Sequence, residues 1–170
     1  MGFILKMQNI EIENFLKSEF KENYFKNFPL SEYTSFRCGG KAKYLVYPNT
    51  IEKVIKIFEV LKELKEKFLI LGNGTNILVS DNGFDGVVIS TLKMKNYNVC
   101  ENTLECECGI KISDLLKICV KNSLSGIEFL AGIPGTLGGG IKNNAGLKKE
   151  WISEKIAYVE YLNIENLNIT

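Results

Sequence analysis

Between Ala131 and Gly146 the chain reads A-G-I-P-G-T-L-G-G-G-I-K-N-N-A-G, with glycine at 132, 135, 138, 139, 140 and 146. Glycine loses more backbone entropy on folding than any other residue, so so dense a cluster constrains the fold. It marks a backbone that takes positive φ or approaches something closely. Ile133-Pro134 stiffens the entry, and Asn143-Asn144 adds amide donors at the exit. Ile133, Leu137 and Ile141 are apolar anchors that a flexible glycine linker lacks. A run of main-chain N–H groups curled around an anion has this composition. The standard nucleotide loops do not fit. A G-x-G-x-x-G pattern begun at Gly138 meets Asn143 at its third glycine, and Gly135–Gly140 has P-loop spacing but is followed by Ile141 instead of lysine.

A second glycine site lies upstream, at Leu71-Gly72-Asn73-Gly74-Thr75-Asn76. It follows Phe68-Leu69-Ile70-Leu71, which reads as a buried strand, and precedes Ile77-Leu78-Val79, which is short and strand-like. Asn73-Gly74 alone is an ordinary hairpin signal. Paired with the later loop, and with Thr75 and Asn76 offering side-chain hydrogen bonds, it reads as one side of a two-sided anion cradle.

Composition excludes several classes. A net charge of +1 gives no broad basic field for nucleic acid. No apolar stretch reaches the roughly 20 residues that span a bilayer, and Phe3-Ile4-Leu5 is too short for a signal-peptide core. A cytoplasmic protein with no membrane partner is the expectation. The five cysteines lack a disulfide-framework spacing and read as reduced thiols. Cys106 and Cys108 share a strand face, but no His or second Cys pair completes a metal site, so packing is their expected role and no metal is expected. The chain has no histidine, which removes Ser-His and Cys-His nucleophiles and imidazole bases. Arg37 is its one arginine among 21 basic residues. It is either a surface residue or a bidentate grip on phosphate or carboxylate that lysine cannot replace.

Apolar spacing predicts a leading helix over Ile10–Phe25 (domain 1–26), broken at Phe28-Pro29. A strand at Ala42–Tyr47, a helix at Ile51–Lys67 capped by Thr50, and the Phe68 strand form a βαβ unit. Strands at Ile77–Val79 and Gly86–Ile89 close a first lobe, 27–93. A second lobe, 94–170, has strands at Tyr97–Cys100 and Thr103–Cys108, a helix at Ser113–Lys121 capped by Ser113, and a strand at Lys155–Ile164.

Three segments, in order, resemble the UDP-N-acetylenolpyruvoylglucosamine reductase (UDP-N-acetylmuramate dehydrogenase) family: Thr34-Ser35-Phe36-Arg37-Cys38-Gly39-Gly40, then Leu71–Asn76, then Gly126-Ile127-Glu128-Phe129 running into Ala131–Gly146. The resemblance covers roughly residues 27–165. It implies an α+β, two-lobed FAD-binding domain of the vanillyl-alcohol-oxidase (PCMH) type, ending before the substrate-binding domain. FAD is implied between the lobes, with its pyrophosphate against Gly72, Asn73, Gly74, Thr75 and Asn76, and with Leu71, Ile77 and Arg37 also among the cofactor-binding residues. The other polar edges of FAD are implied near Ile133, Pro134, Gly135, Thr136, Gly138, Gly139, Asn144, Ala145 and Gly146. NADPH is the implied reductant and a UDP-sugar the implied substrate. The family's catalytic arginine, serine and glutamate lie in segments with no counterpart before Thr170, so no catalytic residue is assigned here. The chain also reads Asn144-Ala145-Gly146-Leu147 where the family tends to continue with A-Y-G. The alternatives are a stand-alone flavin-binding module and an inactive remnant.

Overall fold

Alternating aliphatic residues in the first half build a sheet with helices on one face and a layer of loops on the other. In a computed structural model the backbone is described for residues 2–170 and the side chains for residues 10–170. The side chains of Phe3-Ile4-Leu5 lie outside the described residues. Helix α1 (Gly2–Phe20) is followed by β1 (Tyr24–Pro29), β2 (Lys41–Val46), α2 (Ile51–Glu63), β3 (Phe68–Leu71) and β4 (Phe84–Ser90). The sheet order is β1-β2-β4-β3, with β1 antiparallel to β2 and both β2 and β3 parallel to β4. The βαβ unit is therefore present, but β4 lies between its two strands.

One face of this sheet buries Tyr44, Val46, Val87 and Ile89 under Ile12, Leu16 and Phe20 of α1 and Ile57, Phe58 and Leu61 of α2. The helical contacts recur every three or four residues, as a single apolar stripe requires. The opposite face buries Leu45, Leu71 and Val88 under Leu30, with Tyr33, Ile77 and Val79 packed around them. Two hairpins and two helices follow. Strands β5 (Tyr97–Cys100) and β6 (Thr103–Cys106) pair antiparallel, and β7 (Gly146–Leu147) pairs with β8 (Glu150–Trp151). Helices α3 (Ile112–Lys121) and α4 (Leu137–Lys142) enclose a smaller core of Ile112, Leu130 and Ile152. Among the described residues no helix is long and apolar enough to cross a membrane, and no cluster of His, Cys, Asp and Glu could hold a metal. The five cysteines are free thiols.

Several boundaries differ from the sequence expectation, each for a local reason. The leading helix ends at Phe20, where Lys21 takes φ +47°, and Phe25 enters β1. The aromatic run Tyr24-Phe25-Lys26-Asn27-Phe28 favours a pleated surface, and pairing with β2 claims it. Helix α2 stops at Glu63, because Lys65 takes φ +52°. Thr50 does cap it, accepting from Lys53 N–H at 3.4 Å. Ile77–Val79 pairs with no strand; Ile77 and Val79 pack on the second face of the sheet, while Leu78 is exposed. β6 ends at Cys106, so Cys108 lies beyond the strand. Ser113 lies inside α3, and Lys111 holds the cap position. Residues 155–164 form no ladder strand. Ile156 packs on the small core and Leu162 on the α1/α2 core, while Ala157 to Tyr161 stay exposed.

Candidate functional site

The Ala131–Gly146 segment is neither a free loop nor a simple turn. Its first half is clamped to residues 108–112: Ile112 N–H donates to the Gly135 carbonyl at 3.0 Å, Leu137 N–H to Ile110 at 2.8 Å and Gly138 N–H to Cys108 at 2.8 Å. Thr136, 1% exposed, then caps α4 by accepting from Gly139 N–H at 3.4 Å. The helix closes with Asn144 in the left-handed region at φ +47°. Asn144 N–H donates to Ile141 at 3.1 Å and Ala145 N–H to Gly140 at 2.8 Å, the paired bonds of a Schellman ending.

The upstream glycine turn packs directly on this segment. A Cβ at Gly72 would lie 2.3 Å from Thr136 Oγ1, so the two loops approach more closely than any side chain at 72 permits. Gly135 takes φ +126°, and a Cβ there would lie 3.1 Å from Thr75 Oγ1. Beside this contact opens a cleft of about 520 Å³ lined by Asn73, Lys111, Ser113, Leu116 and Leu130–Gly135. Among the described residues, no hydrogen bond uses the main-chain N–H of Asn73 or Gly135. The charged side chain of the lining is Lys111. It helps hold the Asp114 carboxyl below its ordinary value, although the main cause there is the 2.8 Å hydrogen bond from Lys117.

Of the residues expected from sequence, Asn73, Ile133, Pro134 and Gly135 line the cleft; Gly72, Thr75 and Thr136 form the contact beside it. Gly74, Asn76 and Ile77 belong to the upstream segment, Leu71 ends β3, and Gly138 and Gly139 lie in the first turn of α4. Arg37 is exposed in a turn at φ +53°, outside the lining. Asn144, Ala145 and Gly146 also lie outside it. They end α4 and start the β7–β8 hairpin, where a Cβ on Gly146 would meet the Glu150 carbonyl at 2.3 Å. Sequence reasoning missed Lys111 and Ser113, whose place follows only from the clamp between 108–112 and 135–138. It also missed Tyr33, whose hydroxyl donates to the Gly72 carbonyl.

Comparison with known proteins bears on this arrangement. The family described as FAD binding domain matches residues 42–163. The chain belongs to this family. The FAD-binding domain is similar to the UDP-N-acetylenolpyruvoylglucosamine reductase of Caldicellulosiruptor saccharolyticus, 43% identical over 146 residues that cover 86% of this chain and 47% of that one. It is likewise similar to the reductase of the same name from Clostridium botulinum strain Alaska E43, 39% identical over 85% of this chain and 48% of that one. These bear out the resemblance seen in the motifs. The chain spans about half the length of these curated relatives. Among solved structures, the reductase of Thermus caldophilus superposes with TM-score 0.62 at 29% identity, over 76% of this chain and 44% of that one. Alkyldihydroxyacetonephosphate synthase superposes at 0.72 with 18% identity (91% and 33% covered), and p-cresol methylhydroxylase at 0.56 with 14% (73% and 26%). The last two show the fold alone, the α+β flavoprotein fold of the vanillyl-alcohol-oxidase type expected from the sequence.

Proposed function

We propose that the chain binds FAD in the cleft between the Leu71–Ile77 turn and the Ile133–Gly139 loop, as the flavin-holding part of a UDP-N-acetylenolpyruvoylglucosamine reductase. The observation that carries this reading is the meeting of the two glycine loops, so close that Gly72 tolerates no Cβ beside Thr136. The cleft fits a diphosphate ester. Asn73 and Gly135 offer unspent N–H groups, Ser113 a hydroxyl and Lys111 a cation, while Leu116, Leu130, Ile133 and Pro134 supply apolar walls. Amide donors and one lysine suit a dispersed negative charge, and the apolar walls limit water access. Bound there, FAD would supply hydride transfer between NADPH and the enolpyruvyl double bond of a UDP-sugar. The role of this chain's residues in that chemistry is to bind and orient the cofactor. Thr136 fixes the second loop through its cap, and the 108–112 backbone clamp holds that loop against the first. We assign no proton-transfer residue within the chain.

The test is the absorbance spectrum of the purified chain after incubation with FAD and gel filtration. About one equivalent of retained flavin is expected. A folded protein without flavin sinks the reading. Retained flavin with no NADPH oxidation dependent on the enolpyruvyl substrate identifies a flavin-binding module instead of a self-sufficient reductase.

A further inference from the structure

Tyr33 lies outside the cleft but fixes the turn that forms one of its walls. Its hydroxyl donates to the Gly72 carbonyl and shares a 2.6 Å hydrogen bond with Ser90 Oγ. Because its single proton is committed to the carbonyl, the serine donates to it. Ser90 is fully buried at the end of β4, and its Oγ also accepts from Leu92 N–H at 3.4 Å. The remainder of Tyr33 lies against the next glycine. A Cβ on Gly74 would come within 2.8 Å of the Tyr33 carbonyl and 2.9 Å of its ring Cδ1. Ser35 N–H donates to the Gly74 carbonyl at 3.0 Å. The two residues flanking Asn73 are thus held by one short segment, 33–35, which is itself seated on the second face of the sheet. Burial raises the Tyr33 hydroxyl well above its ordinary value, so it keeps its proton throughout the neutral range.

We propose that Tyr33 is a positioning residue for FAD: through the carbonyl of Gly72 and the backbone of Gly74 it fixes the turn that presents the Asn73 N–H to the cleft. This rests on the FAD reading above. A purely structural tyrosine predicts something different, because the Ser90 hydroxyl belongs to the same buried hydrogen-bond chain but makes no hydrogen bond of its own to Gly72 or Gly74, and its backbone meets the turn only at Leu71, in the β3–β4 ladder.

The experiment is FAD titration of the full chain, followed by flavin fluorescence, for wild type, Tyr33→Phe and Ser90→Ala, with thermal unfolding of each. Tyr33→Phe keeps the ring and removes the donor to Gly72, whereas Ser90→Ala leaves that donor in place. Both lower thermal stability. Only Tyr33→Phe is expected to raise the Kd for FAD, by about tenfold, with Ser90→Ala within threefold of wild type. An unchanged Kd for Tyr33→Phe, or an equal rise in both variants, overturns the proposal. Failure of the wild-type protein to bind FAD overturns the cofactor reading itself and is visible before any variant is compared. If Tyr33→Phe does not fold, amide resonances of the wild-type chain decide. Gly72 and Gly74 are expected to shift with FAD at the same midpoint as Asn73, and silence at both glycines overturns the proposal.

Discussion

At the scale of single residues, the site depends on what is absent from two positions and what is present at one. Gly135 combines φ +126° with the approach of Thr75 Oγ1, a conformation that costs an L residue about 1–3 kcal/mol. Gly135→Val is expected to lose retained flavin on gel filtration while losing stability by no more than that amount in urea unfolding. Unchanged flavin content would remove the loop from the site. Gly72 is constrained by contact with Thr136 alone, without positive φ, which is why no turn rule singled it out. Lys111 supplies the positive charge. Charge-assisted hydrogen bonds are worth roughly 1.5–3 kcal/mol, and a partly exposed one is weaker. Lys111→Gln is therefore expected to raise the Kd for FAD about tenfold at low salt, or ~1.4 kcal/mol, and the difference should shrink at high salt as the interaction is screened. Equal titrations at low salt would place the lysine away from the phosphates. Nothing in the local sequence Gly109-Ile110-Lys111-Ile112 announces this role. It arises from the pairing of 108–112 with 135–138, a contact between segments far apart in sequence. Asn144 shows the reverse: an amide that reads from sequence as a donor at the loop exit serves the end of α4.

At the scale of elements, α4 is the least expected feature and the one that shapes the cradle. Leu137-Gly138-Gly139-Gly140 has poor helix propensity, since each glycine costs about 1 kcal/mol relative to alanine. The helix forms because Thr136 caps it, the 108–112 clamp orients its first turn, and Leu137 and Ile141 pack on the small core. Thr136→Ala is expected to cost about 1 kcal/mol and lower Tm by about 2–4 °C, with Thr136→Ser restoring most of it. A Tm within 1 °C of wild type would mean that the cap contributes nothing. Elements with strong internal periodicity, such as α2 and the strands β2 and β3, were legible from sequence to within a few residues. Those that depend on a partner were not. Tyr24-Phe25 reads as a helix tail, and Phe28-Pro29 as its breaker, until β2 is placed beside Tyr24–Pro29. Residues 155–164 alternate like a strand, but pairing is confined to their end, where Leu162 forms a single antiparallel bridge with Ile169, and no longer ladder develops. The two glycine segments were legible as a pair; their direct contact was not, because one partner in each contact is a glycine, which offers no side chain to read.

At the scale of the whole molecule, the uneven distribution of ionisable groups sets how stability responds to pH. The chain has no histidine, the side chain whose ordinary pKa falls in the neutral range, so stability is expected to be flat between about pH 6 and 8. On the acid side, hydrogen bonds from Lys26 and Lys17 hold the Glu13 carboxyl below its ordinary value. Its contribution is present above the ordinary carboxylate range and is lost as pH falls through the lowered value. On the alkaline side the sign reverses. Burial pushes the Cys106 thiol up to about 11, with the nearby Cys119 adding to the effect, and burial pushes Tyr44 up to about 12. The folded state holds these protons more tightly than the unfolded chain. Their contribution is therefore complete below the ordinary thiol value of 9.0 and declines as pH rises through about 11. Urea midpoints measured from pH 4 to 11 should trace a plateau with a fall at each end. Cys106→Val, which keeps an apolar group on β6 and removes the titrating thiol, is expected to flatten the alkaline limb between pH 9 and 11 and leave the acid limb unchanged. An alkaline limb identical to wild type would assign that loss to the other groups raised by burial, the Cys108 and Cys119 thiols and the core tyrosines, and a midpoint that moves between pH 6 and 8 would contradict the plateau itself.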